Sequence, residues 1–422
     1  MKRLTLILFA LLLSATSYTQ DCGSRYYESI FTSVRTNNIQ YGRNVKFNGD
    51  TVDLFMDIYE PENDTLEKRP MIMLAFGGSF TSGIRQSPDI VRLCTEFSQR
   101  GYVCVSIDYR IGFENGVDSD TNQFKAMIRG VQDMKGALRY FYKDAQTTNE
   151  WRIDTNLIFA GGVSAGGFIG LNMAYGKTLL FSRQIPAWVP DALAEVGGVE
   201  GVSGNAGYSW KVKGVVNLCG AITDTIWLQP NDPVIVSVHG TEDDLVPYFY
   251  DSTLAATQVE AMLFGSGDIH RRANNIGLKN SLKPFYEAGH VPFIIPTNNN
   301  VLSIARYMDT TIWTIRDFLY DVICNNDTVS GITDYAENFS FSVYPNPASN
   351  IVNISSQLTN NNTITVNVYD VIGKKLIHKV FTNTKKNTLD VSVLLSGIYY
   401  VEISNGTSRK YIYRKPIVVN KQ

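Results

Sequence analysis

The sequence predicts two domains in series: an α/β body with a mostly parallel sheet covered by helices on both faces, then a small all-β sandwich. Three observations carry that expectation. Short continuous apolar runs alternate with stretches of helical spacing up to about Cys324. Beyond it the composition shifts to Asn, Thr, Val, Ile and Tyr, with strand-like runs spaced by about ten residues. At 422 residues the chain also exceeds one ordinary domain. Hydrophobic residues make up 44% and charged residues 18%, which suits packed cores and excludes wholesale disorder. A formal net charge of −2 gives no electrostatic reason to expect nucleic acid or an anionic membrane as partner.

Residues 1–20 read as a secretory signal peptide. Lys2 and Arg3 form a positive start, and the uncharged run Leu4 to Leu13 is shorter than the roughly twenty apolar residues a bilayer crossing takes. Small and polar residues follow, with cleavage expected near Ser17 or Thr19. Cys22 lacks the small-residue approach of a lipoprotein box, so no acyl anchor is expected. Export implies an oxidising destination. No later segment is apolar for long enough to span a membrane, so no transmembrane segment is expected.

The body, residues 21–324, opens with a hairpin: Val45 to Phe47 and Val52 to Tyr59 flank the turn Asn48-Gly49-Asp50. These strands join the sheet antiparallel at one edge. Met71 to Phe76 is a buried strand ending in Gly77-Gly78, and Pro88 to Arg100 is a helix closed by Gly101. Val103 to Ile107 is the next strand, and Asn122 to Lys143 a long amphipathic helix. Leu157 to Ala160, Val215 to Leu218 and Val234 to Val238 complete the buried strands. Residues 177–213 are more than a crossover needs and include Trp188, Tyr208 and Trp210, so a cap or lid insertion is expected there. Residues 325–338 read as a linker. Residues 339–422 form the sandwich, with strands at Val343–Val352, Thr363–Tyr369, Lys375–Phe381, Leu389–Val393 and Gly397–Ile403. Basic residues outnumber acidic ones in this segment.

One motif carries chemistry. Gly162-Val163-Ser164-Ala165-Gly166 is G-x-S-x-G, placed after a buried strand and before a helix. A serine on such a tight turn needs small neighbours, and its hydroxyl projects above the sheet edge beside the free N–H groups of a helix start. A serine at its ordinary pKa is a poor nucleophile, so a base must accompany it. The chain has four histidines: His239, His270, His290 and His378. His290 follows the next helix and strand after an acid-bearing loop, His239 to Pro247, which itself follows a buried strand. Order and position therefore assign Ser164 as nucleophile, His290 as general base and then acid, and Asp243 as the group that orients and stabilises the imidazole. Asp244 and, more weakly, Glu242 compete with Asp243. His239 shares a strand end with the acid and reads as a loop-holding group, and His270 reads as an exposed loop histidine. The oxyanion donors are expected to be the backbone N–H of Ala165 and those of the glycine turn, Gly77 and Gly78.

With these residues in place, the body resembles carboxylesterases of the α/β-hydrolase superfamily that have a His-Gly-Gly oxyanion loop and a Gly-x-Ser-Ala-Gly-Gly elbow. The matching pieces are Met56 to Pro61, Phe76 to Phe80, Ser106 to Arg110, Gly162 to Gly167, His239 to Pro247 and Gly289-His290. The resemblance implies the α/β-hydrolase fold and hydrolysis of carboxylic esters through an acyl-enzyme, with no metal or other cofactor. Phe76 stands where such loops have histidine. The tail resembles the C-terminal sorting domain of type IX secretion cargo, through Val343 to Ala348, Val368 to Lys374 and Gly397 to Val401. That implies the type IX secretion machinery as partner and a secreted or surface-attached location reached through the periplasm. A serine peptidase of prolyl-oligopeptidase type and a catalytically silent scaffold used for adhesion are the competing readings. Five cysteines leave pairing open: Cys94 with Cys104 and Cys22 with Cys324 are candidates, and Cys219 reads as a packed thiol.

Overall fold

The structure, a computed structural model, describes residues 22–114, 119–176, 186–252, 262–296, 302–304, 307–324, 341–356, 363–370, 375–382, 386–405 and 412–421. The signal-peptide and linker expectations fall outside these residues. The chain divides into two compact units, Met1–Asp327 and Thr328–Gln422.

In the first unit an eight-stranded sheet holds the core. Its strands are β1 (Ser33–Val45), β2 (Thr51–Pro61), β3 (Arg69–Ala75), β4 (Val103–Ile107), β5 (Ile153–Val163), β6 (Gly214–Leu218), β7 (Val234–Gly240) and β10 (Asn280–Phe285), in the order β1-β2-β4-β3-β5-β6-β7-β10. The pairs β1/β2 and β2/β4 are antiparallel and the remaining pairs parallel. Two short pairs lie off this sheet, β8 (Asp251–Ser252) with β9 (Met262–Leu263) and β11 (Ile294–Pro296) with β12 (Leu302–Ile304). Every residue of β3, β4 and β6 is buried, as continuous apolar strands covered on both faces must be. Helices α1 (Pro88–Ser98) and α6 (Met308–Cys324) pack together on the sheet, as do α2 (Asp120–Gln146) and α3 (Ala165–Tyr175). Pro88 opens α1, where a missing N–H is harmless, and the Ser119 hydroxyl accepts from Asn122 N to cap α2.

The first strand is far longer than the hairpin expectation. β1 is polar and mostly exposed because it is the sheet edge, and it is held by its long pairing to β2 and by the buried Asp57 carboxylate, which accepts from Arg35 (2.5 Å) and from Asn38 N (2.9 Å). The stretch 177–213 is only partly described. From residue 186 it includes α4 (Val189–Glu195) and runs along α2: Gln132 donates to Val196 O (2.7 Å), Glu200 pairs with Lys135 (2.7 Å) and Arg139 (2.8 Å), and Trp188 meets Phe124 edge-on. It also reaches β1, where Arg43 N donates to Ser203 O (2.9 Å).

The second unit has a three-stranded sheet, β13 (Phe341–Tyr344), β14 (Ile351–Ser356) and β17 (Lys386–Asp390). Its four-stranded sheet has the order β16 (Lys375–Thr382), β15 (Thr363–Tyr369), β18 (Gly397–Asn405), β19 (Ile412–Val419). Val352, Ile354, Val366, Val368, Val401 and Ile403 share its core, the period-two pattern of half-buried strands. The expected strand 343–352 is two strands, because Pro345 and Pro347 interrupt the ladder. β19 lies beyond the strands expected from the sequence and forms an edge of this sheet, where Pro416 is tolerated.

Cys22 and Cys324 form a disulfide across 302 residues of chain, while Cys94 and Cys104, an anticipated pair, are separate buried thiols on α1 and β4. Closing so long a loop restricts the unfolded chain by up to about 5 kcal/mol. Cys22→Ser or Cys324→Ser should lower the thermal midpoint of the full chain by roughly 5 °C or more, and reductant should reproduce that loss in the parent protein but not deepen it in either variant.

Candidate active site

The site is assembled at the carboxyl ends of the parallel strands. β5 ends at Val163 and α3 begins at Ala165, so Ser164 alone makes the turn. Its φ of 52° and ψ of −115° form a strained conformation for a side-chain-bearing residue, held by Ser164 N donating to Leu218 O at 2.7 Å. The motif glycines are required by close approach: a Cβ at Gly162 or at Gly166 would lie 2.1 Å from Ala75 O.

His290 follows β10, and Asp243 follows β7. The two loops are stitched together by Glu242 N donating to Ala288 O and Glu287 N to Thr241 Oγ1, each at 3.0 Å. The structure brings the three expected side chains into one line. The Ser164 hydroxyl lies 2.9 Å from His290 Nε2, and His290 Nδ1 lies 2.7 Å from Asp243 Oδ2. His290 is partly exposed and the Asp243 side chain fully buried. Asp244 and Glu242 are exposed on either side, so the acid beside His290 is Asp243. Burial by itself would raise the Asp243 carboxyl, but the hydrogen bonds from His239 and His290, with the charge interaction of His290, outweigh it and hold the carboxyl well below the usual carboxylate range.

Gly77 lies against the elbow, where a Cβ would meet Ser164 Cβ at 3.2 Å and Val163 O at 3.1 Å. Gly78 has φ 126°, and Thr81 N and Ser82 N both donate to its carbonyl. Two groups that sequence reasoning did not single out fix this turn. Tyr109 stacks on Phe76 at 4.3 Å between ring centroids and donates its hydroxyl to Phe76 O at 3.0 Å. Arg85, on the same connection, pairs with buried Asp57 (3.0 Å) and with Asp108. Both partners lie in the segments 56–61 and 106–110, so the signal was present as motif and not as mechanism.

The other histidines separate clearly. His239 is fully buried, its Nε2 at 3.0 Å from both Asp243 Oδ2 and Val246 O and its Nδ1 at 2.8 Å from Ser266 Oγ. His378 belongs to β16, with Nδ1 2.8 Å from Asn367 Oδ1. His270 is not the exposed loop residue expected. It lies on α5 (Ser266–Asn275), 2% exposed, between Ser237 Oγ and Asn280 Oδ1 at 2.7 Å each. The sulfur of Cys219, an imidazole nitrogen of His239 and a carboxylate oxygen of Asp243 lie within 4.8 Å of one another, the one such grouping of metal-capable side chains among the described residues. Its donors are already engaged: Asp243 Oδ1 accepts from Leu245 N and Val246 N, Oδ2 faces two imidazoles, and burial pushes the Cys219 thiol far above its ordinary value.

Burial also pushes the His270 imidazole down to about 4, against the opposing pull of its bond to Asn280. The folded protein therefore keeps this group neutral while the unfolded chain takes up a proton below about pH 6.5. Stability from His270 should be complete above that value and fall by about 3 kcal/mol as pH drops towards 4. Thermal melts across this window should show the loss, and His270→Gln should show a shallower dependence.

Comparisons with known proteins give the two parts of the chain their identity. Residues 56–220 match the family described as BD-FAE, and residues 342–420 match the secretion system C-terminal sorting domain. Similar solved structures include Thermogutta terrifontis esterase 2 phosphorylated by paraoxon, with 20% identity and a TM-score of 0.48 over 68% of this chain and 94% of that one. A truncated carbohydrate esterase from gut microbiota has 17% identity and a TM-score of 0.47 over 70% of this chain and 97% of that one. No curated protein matches the sequence. Among the described residues no helix is long and apolar enough to cross a membrane. The body is thus a carboxylesterase of the α/β-hydrolase superfamily, and the tail a type IX sorting domain that marks the enzyme for secretion or display at the cell surface.

Proposed function

We propose that the protein hydrolyses carboxylic esters through an acyl-enzyme on Ser164, with His290 and Asp243 completing the triad. The observation that carries this reading is the continuous line from hydroxyl to imidazole to carboxylate, 2.9 Å and then 2.7 Å, beneath the start of a helix.

Ser164 Oγ attacks the ester carbonyl while His290 Nε2 takes its proton. Asp243, accepting from His290 Nδ1–H, holds the tautomer and stabilises the imidazolium that forms. The carbonyl oxygen becomes an oxyanion, and on this reading the N–H groups of Ala165 and of the Gly77-Gly78 turn receive it. Collapse of that intermediate expels the alcohol, which takes the proton from His290 Nε2. Water then enters, gives a proton to the same nitrogen, and attacks the acyl carbon. The second collapse releases the acid and returns the proton to Ser164. The strained Ser164 backbone supports the assignment, since the fold maintains this conformation in the residue whose hydroxyl it presents.

On p-nitrophenyl acetate and butyrate, Ser164→Ala and Asp243→Asn should each lower kcat by roughly 10⁴-fold, the former with little change in folding. Undiminished turnover by Ser164→Ala would remove the mechanism, and turnover of aminoacyl-p-nitroanilides in preference to esters would favour the peptidase reading. A Cβ at Gly78 would lie 2.2 Å from Ser82 O, so Gly78→Ala should displace the oxyanion turn. Its kcat should fall roughly 10²-fold, with a much smaller change in KM.

A further inference from the structure

Behind Asp243 a chain of buried polar groups runs through β6, β7, α5 and β10. Asn217, on β6, accepts from Gly220 N at 2.9 Å through Oδ1 and donates through Nδ2 to Ser237 Oγ (3.0 Å) and Ser266 Oγ (3.1 Å). Ser266 reaches His239 Nδ1, and Ser237 reaches His270 Nε2. Asn217, Ser237, His239 and Ser266 are all fully buried, so each hydrogen must find its acceptor within the protein.

That requirement fixes every proton. A backbone N–H can only donate, so Gly220 N–H sets the Asn217 amide with oxygen towards it and nitrogen towards the two serines. Each serine oxygen then accepts from Asn217, and the histidine nitrogen is the acceptor within reach of its own hydroxyl hydrogen. Ser266 donates to His239 Nδ1, which must therefore be unprotonated, and His239 Nε2 carries the hydrogen. Its neighbours agree: both atoms beside Nε2, Asp243 Oδ2 and Val246 O, are acceptors. His270 follows the same rule in mirror order, accepting from Ser237 at Nε2 and donating Nδ1–H to Asn280 Oδ1. Asn280 is oriented by its own donation to Leu278 O at 2.8 Å.

We propose that His239 is a positioning residue for the ester hydrolysis described above: a neutral imidazole, locked in the Nε2–H tautomer, that acts as a second donor to Asp243 Oδ2. The inference rests on the triad reading of Ser164, His290 and Asp243. Asp243 Oδ2 serves two imidazoles, and only His290 moves a proton. The second donor keeps the carboxylate ionised, prevents it from turning away, and draws off part of the negative charge that His290 would otherwise feel. The remaining groups around the pair alter this little. Cys219 is a buried thiol, Glu242 and Asp244 are exposed, and Tyr248, edge-on to His239 at 5.6 Å, has its phenol pushed up to about 12 by burial. Arg271 lies beyond it, over the Phe249 ring.

Loss of the second donor concentrates charge towards His290 and favours its protonated form. The acid limb of the kcat/KM profile, below which the base is protonated, should therefore move upward by about half a pH unit or more in His239→Phe. In His239→Gln, whose side-chain amide can still donate to Asp243, the limb should stay near that of the parent. The profiles are measured on the full chain with p-nitrophenyl acetate, alongside Ser164→Ala. An acid limb unmoved in folded His239→Phe overturns the proposal. If that variant fails to fold, ¹⁵N-histidine spectra of the parent decide, since four histidines are few enough to assign by substitution. The His239 hydrogen should sit on Nε2 with Nδ1 bare, and the other tautomer or a doubly protonated ring in the parent protein overturns the assignment. Activity surviving in Ser164→Ala would instead sink the triad reading on which this one stands.

Discussion

A carboxylate taken wholly out of water must have its lone pairs met by donors, and the active-site end of the body is organised around meeting those of Asp243. Oxygen Oδ1 accepts from the amides of Leu245 and Val246, and Oδ2 faces His290 and His239. Four donors for four acceptor directions leave the group ionised and immobile. The four donors come from three different segments. The amides are set by the tight turn after β7, His290 by the loop after β10, and His239 by the end of strand β7 itself. If the carboxylate were displaced, these segments would lose a common anchor.

The opposite side of the site is built by constraint of the backbone. Ser164 occupies a conformation that costs on the order of 1–3 kcal/mol, and it is kept there because Gly162 and Gly166 both lie against the carbonyl of Ala75. The glycine turn after β3 is tied down from below. Tyr109 holds the carbonyl of Phe76, and Arg85 ties the later part of the same connection to Asp57 and Asp108. Phe76 stands where related loops carry histidine, and its ring uses the space for stacking on Tyr109. The position thus contributes packing, and the oxyanion donors proposed above are backbone amides, which do not depend on its side chain.

Much of this was legible in the sequence because it depends on local pattern. The runs 71–76, 103–107, 215–218 and 234–238 are strands buried on both faces, and nothing but sequence is needed to see them. The elbow is likewise local, since its glycines record contacts that no side chain would permit. Less legible were features whose cause lies elsewhere in the chain. Most of β1 is a polar edge strand that only its pairing to β2 and its ties to Asp57 reveal. β19 is an edge strand that can accommodate Pro416. His270 resembles an exposed residue beside Arg271 until Ser237 and Asn280 are brought to its ring. The choice of Asp243 over Asp244 is decided by which of two adjacent carboxyls points beneath His290, a matter of turn geometry that composition does not contain.

The bridge between Cys22 and Cys324 gives the catalytic body the topology of a covalent ring, begun just after the leader and closed at the last residue of α6. A cut made anywhere downstream of that closure, for example in removing the sorting domain, leaves the ring whole. A single cut inside it opens the circle but cannot release a fragment. The enzyme is therefore built so that proteolysis can trim it at one end without taking it apart, a property suited to a protein that works beyond the reach of cellular repair.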